Sequence, residues 1–330
     1  MAGLTLSRRH LMAGGLSIGG LSMAGLTACS PSSDGKAIDL KDLTLRVGTY
    51  RGQINAVFKA AGLADTPYKV AYSEFAGGNL IVEAINARAI DLGSMSEIPP
   101  IFAAGQPTLM KVVAVQKADV TSQLVLVPKG SPIQSVAQLK GKRIGYVRAT
   151  TSQYILLRLL QEIGASLDDI KPVALSPQDG LAAFERGELD AWIIYGVQGF
   201  LARSRGARVL TTGLGRLSGN YVYSALSESL DDPIRLAAIG DYLQRAQKAW
   251  KWKDANPDAW ADIIAKATGA PREAFLLTHR ERDRAAEILP VDDEAIASEQ
   301  AVADAFASAG VIPAKVDVRP LWDKRLNSFL

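Results

Sequence analysis

Two strand-loop-helix patterns recur along this chain at a nearly fixed offset, and they constrain its fold more than any other feature. LTLRVGTYR (43–51) is an alternating strand that runs into a loop, and KRIGYVR (142–148) is another. Gly48 matches Gly145, and Arg51 matches Arg148, each 97 residues on. IVEAINARAIDLG (81–93) reads as a helix, a short turn and a strand. LAAFERGELDAW (181–192) repeats that shape and aligns Asp91 with Asp190, 99 residues on. A repeat of this length is not a solenoid. It predicts an α/β protein of two similar lobes, each built from βαβ units. Two unrelated βαβ units would also look alike, so the pattern sets the class more firmly than the pairing.

The boundaries follow from breaks in the pattern. KVVAVQ (111–116) and QLVLVP (123–128) are short apolar runs suited to a buried sheet. Pro128-Lys129-Gly130-Ser131-Pro132 is a break that opens the second lobe, and the chain returns near Tyr221-Val222-Tyr223-Ser224. The expected division is residues 43–127 and 222–330 for lobe 1 and 128–221 for lobe 2, with two hinge crossings. The last third is helical. Asp231-Asp232-Pro233 opens one helix, Asn256-Pro257-Asp258 a second closed by Gly269, and 293–310 is a third. Trp250, Trp252, Trp260 and Trp322 lie among these helices and are expected to pack in the core.

The scarcest residues exclude most chemistry. The 330 residues hold two histidines and one cysteine. His10 falls in a leader, so His279 is the only histidine of the mature chain, and a His- or Cys-rich zinc site has no ligands. A disulfide within the chain is impossible. No cofactor is expected. Formal charge is +3, and Arg8 and Arg9 lie in the leader, so the balance of the mature chain gives no case for nucleic acid as a partner.

The first 28 residues read as an export signal: a basic start, an apolar stretch diluted by five glycines, then small residues before Cys29. Ser7-Arg8-Arg9-His10-Leu11-Met12 resembles the twin-arginine signal. Leu26-Thr27-Ala28-Cys29 resembles the lipobox of bacterial lipoproteins, whose cysteine receives diacylglycerol. The alternatives are a soluble exported protein and an uncleaved anchor, for which the glycines make a poor span. Residues 29–42 then form a tether.

Three loops follow strands and lead into helices, where ligands bind in open α/β sheets and where helix N-termini offer free N–H groups to an anion. The first is Thr49-Tyr50-Arg51-Gly52-Gln53. Arg51 offers a planar fork to an oxyanion, or is a solvated surface residue. The second is Gly93-Ser94-Met95-Ser96-Glu97, whose serines suit either a ligand or a helix cap. The third is Arg148-Ala149-Thr150-Thr151-Ser152-Gln153, where three hydroxyl residues exceed what one cap needs. If the lobes face each other, Arg51 and Arg148 approach one cleft. Tyr195, Tyr221 and Met95 are candidates for an apolar wall.

At these residues the chain resembles a known family. YSEFAGGNLIVEAINARAIDLGSMSEIPPIFA (72–103) closely resembles the periplasmic aliphatic-sulfonate-binding proteins of ABC importers, and less closely the taurine- and nitrate-binding ones. SPIQSVAQLKGKRIGYVRATTSQYILLRLL (131–160), SPQDGLAAFERGELDAW (176–192) and VIPAKVDVRPLW (311–322) are similar to the same family. The resemblance covers roughly residues 43–325. It implies the type II periplasmic binding protein fold, each lobe a mixed sheet flanked by helices. It also implies no catalysis, capture of an organosulfonate between the lobes, and delivery to an ABC permease and its ATPase. By position, Ser94, Met95 and Ser96 fall on the family's first-lobe ligand loop, and Thr150, Thr151 and Ser152 on its second-lobe loop. Arg148 stands where the family tends to be basic.

One stretch departs from that family. Where members carry a Trp-Asp-Pro-Tyr-like run, this chain has Ile194-Tyr195-Gly196-Val197-Gln198. The acid that could balance the ammonium of taurine is missing, which disfavours an amino-sulfonate, and Gly196 would enlarge the pocket for a longer or aromatic tail. His279 and Arg280 match a His-Arg stretch near the family's hinge. The expected protein is a monomer outside the cytoplasmic membrane, lipid-anchored at Cys29. Competing readings are a binder of another anion or sulfate ester, a sensory lipoprotein, and an enzyme of thiamine-pyrimidine chemistry, whose Cys-rich motif this chain lacks.

Overall fold

The strand Leu124–Val127, LVLV, shows why these short apolar runs become sheet. All four residues are buried: Leu124 and Leu126 on one face, Val125 and Val127 on the other. Such a strand needs helices on both sides. The computed structural model describes residues 40–50 and 54–330. The leader, Cys29, most of the tether, Arg51 and Gln53 lie outside the described residues.

Among the described residues eleven strands form two sheets: β1 (Thr44–Thr49), β2 (Lys69–Glu74), β3 (Leu92–Ser96), β4 (Met110–Lys117), β5 (Leu124–Val127), β6 (Arg143–Tyr146), β7 (Lys171–Ala174), β8 (Ala191–Ile194), β9 (Arg208–Thr212), β10 (Asn220–Leu226) and β11 (Glu287–Leu289). Sheet one runs β11-β4-β10-β3-β1-β2 and sheet two β7-β6-β8-β5-β9. In each, three strands are parallel (β2, β1, β3 and β7, β6, β8), and the next, β10 or β5, is antiparallel to them. The two sheets therefore share one strand order.

The α-helices of the described residues are α1 (Ile54–Ala60), α2 (Gly78–Asn86), α3 (Ile98–Ala104), α4 (Thr151–Glu162), α5 (Pro177–Glu185), α6 (Gly196–Ser204), α7 (Ser227–Asp231), α8 (Pro233–Ala255), α9 (Pro257–Thr268), α10 (Arg272–Glu281) and α11 (Asp293–Ser308). On one face of sheet one, Leu45 and Val47 meet Phe58 of α1 and Tyr242 and Leu243 of α8. On the other, Val112 and Val222 meet Ile81 of α2, Ile101 of α3 and Phe306 of α11. Sheet two is covered by α4 on one face and by α5 and α6 on the other. The long α8 starts as its sequence predicts: Asp232 accepts from Ile234 N at 2.9 Å, with Pro233 in the first turn.

Both boundaries differ from the sequence expectation. β5, assigned to lobe 1, pairs only with β8 and β9 of sheet two, while Tyr221, assigned to lobe 2, lies in β10 of sheet one. The crossings are residues 118–123 and 213–219. The Pro/Gly break at 128–132 ends a strand and does not mark a crossing. The real crossing carries no such signal, because Asp119 shapes it with its side chain: its carboxylate accepts from Thr121 N and Ser122 N, both at 3.0 Å. The two crossings lie side by side, with Ala118 N bonded to Gly219 O and Gly213 N to Gln123 O, both at 2.9 Å.

Candidate functional site

The parallel strands of both sheets end toward one cavity of about 460 Å³, within the range of small-molecule pockets. Sheet one contributes Tyr50 after β1, Phe75 after β2 and Ser94, Met95 and Ser96 of β3. Sheet two contributes Thr150 after β6, Pro177 after β7 and Tyr195 after β8. This is where an open α/β sheet places its ligand. The remaining wall comes from α8, α9 and α10, through Trp250, Lys253, Trp260, Phe275 and His279.

Four helices begin at this cavity. α4 starts at Thr150, whose hydroxyl accepts from Ser152 N, and α5 at Ser176, which caps Asp179 N. α2 and α6 start at Gly77 and Tyr195 with no side-chain cap. Their free N–H groups and aligned dipoles make this region favourable to negative charge. Gly78 lets α2 come close: a Cβ there would lie 2.8 Å from Pro99 Cγ and 2.9 Å from Met95 Cβ. Gly196 lines the cavity and also has a backbone reason to be glycine. Its φ is 67° and its surroundings are open, so the turn into α6 requires the glycine for its backbone.

A chain of hydrogen bonds joins the two sheets across the crossing. Thr151 Oγ1 donates to Gln123 Oε1 at 2.6 Å, and Gln123 Nε2 donates to Tyr221 Oη at 2.9 Å. Burial raises the phenols of Tyr50 and Tyr221; at Tyr50 the neighbouring Tyr195 and Tyr221 add to it, and at Tyr221 the hydrogen bond from Gln123 works against it while the charges of Asp119 and Asp283 add to it. Tyr195 is pushed up to about 12 by burial, against a hydrogen bond with Thr150. All three remain neutral O–H groups at physiological pH.

The expected site residues divide. Ser94, Met95, Ser96, Thr150, Thr151, Tyr195 and Tyr221 all line the cavity. Ser152 does not: it is fully buried, donates to Ile193 O at 2.6 Å and accepts from Val147 N at 3.0 Å, so it fastens α4 to β6 and β8. Arg148 does not either. Ala149 adopts a left-handed φ of 56°, and this kink leaves Arg148 exposed while Thr150 turns inward. The two-arginine arrangement therefore loses Arg148, and Arg51 is not among the described residues. His279 lines the cavity, accepting from Arg282 Nη1 at 2.7 Å through Nδ1, and Arg280 is exposed. Burial, then the charge of Arg282, lowers the His279 pKa.

Sequence reasoning missed Tyr50, Gln123, Lys253 and the Gly77-Gly78 helix start, and it placed Trp250 and Trp260 wholly in the core. The glycine pair was visible in the sequence. Lys253 was hidden in the basic run KAWKWKDA, which looks like a solvated helix face.

Comparison with known proteins adds three findings. The family described as NMT1/THI5 like matches residues 46–259. A putative aliphatic sulfonates-binding protein of Escherichia coli K12 is 33% identical over 305 residues, 89% of this chain and 93% of that protein. Two solved structures share the fold. The periplasmic aliphatic sulphonate binding protein SsuA of Escherichia coli has 31% identity and a TM-score of 0.75, over 84% of this chain and 90% of that one. The alkanesulfonate-binding protein SsuA of Xanthomonas axonopodis pv. citri, bound to MOPS, has 28% identity and a TM-score of 0.77, over 86% and 99%.

Proposed function

This chain belongs to the NMT1/THI5-like family, and from that premise we propose that it is an extracytoplasmic solute-binding protein that captures an organosulfonate and hands it to an ABC permease. The observation that carries the reading is the convergence of four helix N-termini from both sheets on one cavity. A sulfonate is a permanent monoanion, so its three oxygens need donors and no proton transfer. The uncapped N–H groups of α2 and α6 and the neutral phenols of Tyr50 and Tyr195 supply them. Phe75, Met95 and Val197 offer an apolar wall to the tail. Residues 43–118 with 220–330 act as one lobe and 119–219 as the other, closing about the paired crossings.

Binding without catalysis is the reading supported by relatives that are themselves named as binding proteins. No helix among the described residues is long and apolar enough to cross a membrane. We infer attachment through a lipid on Cys29 after twin-arginine export, and action as a monomer.

The test is a thermal-shift screen of the purified protein against alkanesulfonates of rising length, taurine, arylsulfonates, sulfate esters, nitrate and inorganic sulfate. A ligand at about 100 times its Kd adds about 2.7 kcal/mol, several degrees for a chain of this size. Shifts confined to sulfonates support the reading. A shift with nitrate alone, or with none of the panel, overturns it.

A further inference from the structure

One wall of the cavity is built from the C-terminal helices. Lys253 of α8 lines it, with its ammonium 4.7 Å from the ring centre of Trp250 and 5.2 Å from that of Trp260. The two indoles hold the cation by their π faces but offer no acceptor. Lys253 makes no hydrogen bond and no direct ion pair among the described residues. The nearby carboxylates are already engaged. Asp254 takes Arg282 Nη1 at 2.6 Å and Ala286 N at 3.2 Å. Asp119 takes Thr121, Ser122 and the Asp283 main chain. Further cations, Arg282 and Arg284, stand on the same wall.

Burial lowers the Lys253 pKa, and Asp254 and Asp119 offset this only in part. An ammonium held this way is costly in the empty protein, and the cost falls when an anion reaches it. The wall at the strand ends is of a different kind: helix N-termini, hydroxyls and neutral phenols, with no basic side chain there among the described residues. Ile264 and Phe275 line the wall beside the indoles.

The geometry points to a second anion subsite at Lys253, so that the favoured cargo is an organosulfonate whose tail ends in another acid group, a carboxylate or a second sulfonate. This rests on the organosulfonate reading and narrows its substrate class. Trp250 and Trp260 then serve two roles: they orient the ammonium, and they flank the far end of the tail.

The experiment is calorimetric titration of the purified protein with propane-1-sulfonate, 3-sulfopropanoate and propane-1,3-disulfonate at one ionic strength. It is run on wild type, Lys253→Met and Lys253→Arg, with the melting temperature of each variant measured alongside. The wild type binds the dianions at least about tenfold more tightly than the monosulfonate. Lys253→Met brings that ratio close to one, and Lys253→Arg keeps most of it. Should Lys253→Met fail to fold, Lys253→Gln carries the same comparison. A wild-type ratio near one, with the monosulfonate bound, overturns the second subsite and leaves the organosulfonate reading standing. Loss of all three ligands by the same factor in Lys253→Met also overturns it, since Lys253 then holds the sulfonate itself. Absence of any sulfonate binding to wild type removes the organosulfonate reading and this subsite together.

Discussion

Arg46 is clamped to Asp91 by three donors on one carboxylate: its main-chain N–H and Nε reach Oδ2 at 2.8 and 3.0 Å, and Nη2 reaches Oδ1 at 2.7 Å. The second half of the repeat builds the same clamp, Arg143 on Asp190, at 2.8, 3.2 and 2.8 Å. The pair of aspartates aligned in the sequence thus has one job in both sheets: to lock the strand before the ligand loop (β1 or β6) to the turn just before β3 or β8.

The two clamps differ in burial, and this sets the first prediction. The Asp91 side chain is 0% exposed and the Asp190 side chain 31%. Asp91→Asn removes the charge from a buried acceptor of Arg46 and Ser229, whose guanidinium and hydroxyl partners remain, and costs about 1–3 kcal/mol, whereas Asp190→Asn costs about 1 kcal/mol or less. Urea denaturation at pH 7 measures both. Burial pushes the Asp91 carboxyl up, but hydrogen bonds from Arg46 and Ser229 outweigh it and hold the group below its usual range. Its contribution is therefore present above the unfolded pKa of about 3.9 and is lost as pH falls through the lower folded value. The gap between wild type and Asp91→Asn should close in strongly acid solution.

Glu299 behaves in the opposite sense. It is fully buried, receives Trp322 Nε1 on Oε2 at 2.6 Å, and has no hydrogen-bond partner on Oε1 among the described residues. Burial, and then the charge of Glu97, holds its carboxyl well above the usual range. A raised acid costs stability as pH climbs from the unfolded value of about 4.3 through the folded one. Glu299→Gln keeps the acceptor for Trp322 and removes the ionisation. It should raise Tm at pH 8 by several degrees and leave it nearly unchanged at pH 4. A melting series across that range decides the matter.

Adjacent residues at the start of α4 should separate stability from binding. Ser152→Ala removes two fully buried hydrogen bonds and should cost about 1–3 kcal/mol, with ligand affinity held within about twofold. Thr151→Val removes a hydroxyl from the cavity and the link to Gln123. It should weaken sulfonate binding about tenfold and cost about 1 kcal/mol of stability. Calorimetric titration and denaturant melts on both variants give the four numbers.

Gly78→Ala tests the approach of α2. The added methyl meets Pro99 and Met95 closer than van der Waals contact allows, and lies 3.2 Å from Tyr50 Oη. Overpacking of this kind costs about 1–3 kcal/mol. Because the helix start must retreat from the cavity, ligand affinity should fall as well. An unchanged Kd in the folded variant would show that α2 does not touch the ligand.

The sequence by itself determined the elements and their class. Alternation marked β1, and Asp232 with Pro233 marked the start of α8. The aligned glycines and aspartates marked two like halves. These signals are local, since each depends on residues within a turn or two of chain. The tertiary structure decided which side of each loop faces the ligand. A single left-handed residue, Ala149, separates the exposed Arg148 from the inward Thr150, and the hydroxyls of Thr151 and Ser152 point to different partners although they are neighbours. It also placed the first crossing at Asp119, where a side chain does what proline or glycine does elsewhere. Lastly, it brought Lys253 to a cavity whose other walls lie far away in the chain. Contacts between distant segments leave no period or spacing behind, so a caged ammonium and a solvated surface lysine read alike until the chain has folded.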